Sequence, residues 1–212
     1  MESSRFTQPE HAVELLRENG IMRLSEFGEA GISRAAIQRL EAKGQVVRLE
    51  RGLYQLAGTE PDAQHALAEA AKHVPKGVIC LTSALAFHEL TDTIPSKVWM
   101  AIGPKDWKPE GGRLEIVRFG PKVYSTGIET HPIEGVAVPI YDANKTIVDM
   151  FRYRESAGTR FRKSPGLGLA IEGLREGLRT RKATPAKIAA YARQAGIWKA
   201  IVPYLDAMTA HV

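Results

Sequence analysis

Residues 24–56 read LSEFGEAGISRAAIQRLEAKGQVVRLERGLYQL, and this stretch decides how the N-terminal third folds. It parses as a short helix, a tight turn, a second helix and a two-stranded hairpin. Ser25 is placed to cap the first helix, because its hydroxyl can accept an orphan amide proton. Ala30-Gly31 makes the turn, where a residue without Cβ tolerates positive φ. Ser33 caps the second helix, which runs to Lys43 and stops at Gly44. QVVRL and GLYQL then alternate as strands joined by Glu50-Arg51-Gly52. That order is the outline of a winged helix-turn-helix.

The second helix is two-faced. Ile32, Ala36, Ile37 and Leu40 form one apolar stripe. Opposite it stand Ser33, Arg34, Ala35, Gln38 and Glu41, with Arg39 and Lys43 on the flank. A helix lying in a DNA major groove needs an apolar back and short or fork-shaped polar groups near its N-terminus. Arginine bonds guanine O6 and N7 in pairs, and glutamine does the same for adenine. Ser33, Arg34 and Gln38 are therefore the expected base readers. Arg39, Lys43, Arg48 and Arg51 are the expected phosphate contacts, the last two from the wing. The plainer alternative is a small helical scaffold with ordinary surface arginines.

The chain has 212 residues, long enough for two modest domains or one domain with an appendage, and its hydrophobic fraction of 44% is ordinary for a globular protein. Its single cysteine, Cys80, sits in an apolar run and reads as a buried thiol. The N-terminal MESSRFTQPEH has no apolar signal core and no stretch is long enough to span a bilayer, so a cytoplasmic location without membrane association is expected. The net charge of +5 is unevenly spread: residues 1–57 carry eight basic and eight acidic side chains, 58–150 nine and twelve, and 151–212 twelve and four. Much of any sequence-independent attraction to phosphate would have to come from the last segment.

A helix from Pro9 to Asn19 precedes the quoted stretch, and residues 21–24 could form a short strand pairing with the wing. Residues 57–61, AGTEP, compose a linker, so the expected domains are 1–57, 58–150 and 151–212. The middle one reads as a helix capped by Asp62, a strand at 78–81, a helix capped by Thr82 or Ser83, and strands at 98–102, 114–119, 127–133 and 136–140. Together they predict a small, mostly antiparallel sheet flanked by helices. Residues 142–153 return to helical spacing, and three more helices follow at 167–181, 184–194 and 198–210, packed on the middle domain. Tyr191, Trp198 and Tyr204 read as core. The fold class is α+β.

Catalysis is not expected. Ser83 and His88, the nearest thing to a nucleophile and base, would lie about 140° apart around a helix axis. The six histidines show no ligand spacing, so neither a metal site nor a cofactor is expected. The basic groups Arg160, Arg162 and Lys163, with Arg179, Arg181 and Lys182, are either a solvated face or a second nucleic-acid contact.

Taken in order, several stretches resemble the AbiEi-type antitoxins of type IV toxin–antitoxin, or abortive infection, systems. They are the winged helix ending GQVVRLERGLYQL, then LTSALAFHELTDTIPSKVWMAI, then KTIVDMFRYR, and the helical tail ATPAKIAAYARQAGIWKAIVPYLDAM. The resemblance implies a transcriptional repressor that binds inverted repeats in its own promoter. It also implies a nucleotidyltransferase-like toxin as a functional partner that is not stably bound. A stand-alone regulator, or an interaction protein that neutralises a toxin directly, are the alternatives.

Overall fold

The computed structural model describes residues 7–60, 62–109, 113–154 and 165–210. The fold is α+β, with one three-stranded antiparallel sheet and one five-stranded mixed sheet. Two compact units divide the chain: Met1–Pro75 with His131–Val138, and Lys76–Thr130 with Pro139–Val212. The linker expected at 57–61 thus falls inside the first unit.

In the first unit, helix α1 (Gln8–Asn19) starts where the Glu10 carboxylate accepts the Thr7 N–H at 2.8 Å. Strand β1 (Ile21–Arg23) leads into α2 (Leu24–Glu29), α3 (Arg34–Ala42) and the hairpin β2 (Val46–Glu50) and β3 (Leu53–Leu56). Ser25 does not cap α2: the helix begins one residue earlier, and Glu26 accepts the Arg23 N–H at 2.6 Å instead. As expected, β1 pairs with the wing, Met22 opposite Tyr54 on β3. Ala12 and Leu16 of α1, Phe27 of α2, and Ile32, Ala36, Ile37 and Leu40 around α3 close one core with Val46 and Tyr54.

Helix α4 (His65–His73) belongs to this unit because its polar side chains reach back to it. Lys72 meets Glu26 of α2 at 2.7 Å, and His73 meets Glu50 of the wing at 2.5 Å. His65 meets Glu134, in the 131–138 segment, at 2.7 Å. Asp62 is not the cap of α4. It accepts the N–H of Gln64, which occupies that position. Gly20 shows how tightly residues 131–138 press on this unit: at φ +64°, a Cβ there would lie 1.7 Å from the Glu134 carbonyl oxygen.

The larger sheet contains β4 (Val78–Ile79), β5 (Val98–Ile102), β6 (Leu114–Arg118), β7 (Ile128–Ile133) and β8 (Val136–Tyr141), in the order β6-β5-β4-β8-β7. β4 runs antiparallel to β5, but β4–β8 and β5–β6 are parallel pairs. The sheet is mixed, where a mostly antiparallel one was expected. Strand direction depends on how the connections cross over, and neighbouring strands in sequence do not fix that.

Helix α5 (Leu81–Phe87) follows β4 directly, and a single turn, α6 (Pro121–Tyr124), follows β6. Helix α7 (Ala143–Arg152) is the centre of the second unit and is buried from Ala143 through Phe151. Around it pack α5, α8 (Leu167–Arg179), α9 (Pro185–Gln194) and α10 (Trp198–Thr209). Helix α8 comes close because two of its positions are glycine. A Cβ on Gly173 would lie 2.5 Å from Leu85 Cδ1, and one on Gly177 would lie 2.7 Å from Ile147 Cδ1. Cys80 is fully buried, as expected; Tyr191, Trp198 and Tyr204 are partly buried against the same core.

Candidate nucleic-acid interface

Helix α3 is fixed at both ends of its first turn. The Ser33 hydroxyl accepts the Ala36 N–H at 3.3 Å and donates to Gln8 Oε1 of α1 at 2.9 Å. With Ile37 and Leu40 buried behind it, the helix cannot rotate without opening the core. Arg34, Gln38, Arg39 and Lys43 are all exposed, as are Arg48 and Arg51 of the wing. Arg34 and Gln38 stand four apart, so they share one face. Arg48 donates from Nε to the Glu50 carbonyl at 3.1 Å, which steadies the wing's turn. Ser33 is the exception among the seven. It is exposed, but its hydroxyl is engaged at the helix start.

Net charge alone does not favour phosphate here. The first unit contains nine basic and twelve acidic residues, the second twenty and twelve. Charges are, however, sorted by partner. Glu26 of α2 and Glu50 of the hairpin contact Lys72 and His73 of α4. Those two partners escape a local reading of the sequence, because their role depends on where α4 docks. Their only signal is a Lys-His pair at the end of an otherwise alanine-rich helix.

Of the basic groups expected as a second contact, Arg160, Arg162 and Lys163 lie outside the described residues. Arg179 donates to Glu176 at 2.7 Å, and Lys182 donates to the His88 carbonyl at 2.9 Å and to Glu89 at 2.5 Å. Arg181 is exposed at φ +58°, just beyond the end of α8. Two of these three cations are therefore engaged within the unit.

The residues first weighed for catalysis have structural partners. Ser83 is not a helix cap; Cys80 holds that position, and the Ser83 hydroxyl accepts the Trp99 N–H of β5 at 2.9 Å. His88 Nε2 lies 2.7 Å from the Tyr141 carbonyl of β8, so it carries the proton and donates. Serine and histidine thus point to different strands. Asp149 is buried in an ion pair with Lys145, whose ammonium lies 4.3 Å and 4.9 Å from the ring centres of Tyr141 and Phe119. Burial pushes the Asp149 carboxyl up to about 6 against the pull of Lys145 and Arg152. Burial also raises the Cys80 thiol. Among the described residues no group of His, Cys, Asp and Glu is arranged to hold a metal ion. No helix among them is long and apolar enough to cross a membrane.

Residues 12–57 match the profile of a family described as "Transcriptional regulator, AbiEi antitoxin". The match runs from Ala12 inside α1 through β3 and so includes every residue of the α3 face. No curated protein matches the chain in sequence. In fold, the chain is similar to the crystal structure of the RV2827C protein from Mycobacterium tuberculosis. The TM-score is 0.58 and the identity 14%, over 97% of this chain and 81% of that one.

Proposed function

We propose that the protein is a sequence-specific DNA-binding repressor of the antitoxin class, acting on inverted repeats upstream of its own gene. One observation carries this reading: the exposed face of α3, bearing Arg34 and Gln38 over a buried apolar back, lies within the segment that matches the regulator family. Helix α3 enters the major groove of a half-site; Arg34 and Gln38 meet base edges. Arg39, Lys43, Arg48 and Arg51 hold phosphates on either side. Ser33 acts chiefly by fixing the start of the helix, since its hydroxyl already has partners. Arg181, with Arg160, Arg162 and Lys163, supplies salt-sensitive attraction from the positively charged unit. The toxin is a functional partner encoded nearby and does not co-purify.

Each bidentate base contact is worth about 1–3 kcal/mol. Arg34→Ala and Gln38→Ala are therefore expected to weaken binding to the upstream repeat by roughly 5- to 150-fold, with little change on random duplex. A gel-shift titration of full-length protein on both duplexes measures this. Equal losses on both would remove these residues from base readout, and no preference of the parent protein for the repeat would end the proposal.

A further inference from the structure

Among the described residues four large apolar side chains stand out in solvent: Val47, Ile94, Trp107 and Ile128. Trp107 is the aromatic one, 70% exposed, in the loop between β5 and β6. It sits in the sequence Lys105-Asp106-Trp107-Lys108, and both lysines are exposed as well.

The residues just before Trp107, Gly103–Asp106, are tied down. Asp106 Oδ2 accepts the Gly103 N–H at 2.8 Å. From β6, Arg118 Nη1 donates to the Gly103 and Pro104 carbonyls, each at 2.9 Å. The Asp106 carboxylate lies close over Gly103, 2.6 Å from where a Cβ would stand. The other oxygen of Asp106 faces Lys76 Nζ at 4.0 Å. The loop's one described carboxylate is thus committed internally, and Lys105 and Lys108 are left facing water beside the indole.

We infer that the segment Lys105–Lys108 is a stacking platform for an unpaired base of a single-stranded nucleic acid, with Lys105 and Lys108 on the flanking phosphates. An exposed ring offers a π-face to any base, and cations on both sides match a polyanion with one charge per nucleotide. Neither a membrane nor a protein partner fits as well. A single indole buries too little apolar area to anchor a protein on lipid. A tryptophan hot spot at a protein interface is ringed by further apolar contacts that exclude water, whereas this one has an exposed lysine close to it in sequence on either side.

The test uses full-length protein and a fluorescein-labelled oligothymidylate of about 12 nucleotides, within the span of one such groove. Anisotropy titration should show binding, and intrinsic tryptophan fluorescence should be quenched as the base stacks. Trp107→Ala should weaken binding roughly 5- to 150-fold and abolish the quench, with partial rescue by Trp107→Phe. Lys105→Ala/Lys108→Ala should lower the slope of log K against log[salt] by about 1.4. Arg34→Ala, in the other unit, should leave this binding unchanged while impairing duplex readout, which separates the two proposals. Unaltered affinity in Trp107→Ala overturns the inference. So does failure of the oligothymidylate to bind, or a quench produced by phosphatidylserine vesicles and not by the oligonucleotide.

Discussion

In the first unit, Glu26 and Glu50 stay near the surface and are drawn aside by Lys72 and His73, while the cations of α3 and the wing face water. In the second, Lys145 and Asp149 are buried from water, with the Lys145 ammonium over the rings of Tyr141 and Phe119. The same type of pair serves opposite ends. Surface pairs contribute little to stability but shape the field that a ligand meets; a buried pair has no ligand to meet, and truncating one partner strands the other inside the core.

The largest effect should come from breaking the buried pair. Lys145→Ala leaves an uncompensated carboxylate inside the second unit and should cost about 3–5 kcal/mol in denaturant unfolding. Lys145→Met/Asp149→Leu together should come within a few kcal/mol of the parent, on either side of it. If the single replacement costs under about 1 kcal/mol, the pair is wetter than its surroundings indicate and the contrast between the units collapses.

A smaller, pH-dependent effect sharpens the same point. Folded Asp149 takes up its proton near pH 6, above the ordinary value of 3.8, because burial disfavours its charge more than Lys145 and Arg152 restore it. The folded state therefore binds more proton than the unfolded chain between those values. The contribution of Asp149 to stability should be greatest on the acid side and fall as pH rises through that window. Comparing the parent with the double replacement at several pH values isolates it; parallel curves would show that the carboxyl titrates normally.

The smallest expected effect is at the surface. His73→Ala should change stability by less than about 1 kcal/mol, since both partners are partly exposed. It frees Glu50 beside the wing's arginines, so affinity for duplex DNA should drop a few-fold, most at low salt. An unchanged gel-shift curve would mean that Glu50 does not face the DNA.

Where local chemistry decided the outcome, the sequence was legible. Ser33 as a cap, Gly44 as a stop, the wing strands and the buried stripe of Ile37 and Leu40 all follow from short-range rules, and they contain the whole candidate face. Elements set by long-range docking were not legible. Nothing near Lys72 or His73 says that they reach α2 and the wing, and nothing near Val98 says that β6 lies parallel to its strand. Ser83 looked like a cap because it stands at the start of a helix; its hydroxyl in fact serves a strand sixteen residues later. Lys145 and Asp149, four apart on one helix, form a core pair because α5, α8 and α9 close over α7, and nothing within that helix announces it.

The contact between Gly20 and Glu134 has a consequence for ancestry. A helix–wing module exchanged between genes as one continuous cassette would carry Gly20 but leave behind the turn whose carbonyl it was shaped to admit. Any homologue that acquired its head by such recombination should either retain both halves of this fit or show a side chain at position 20 and a differently built turn opposite it.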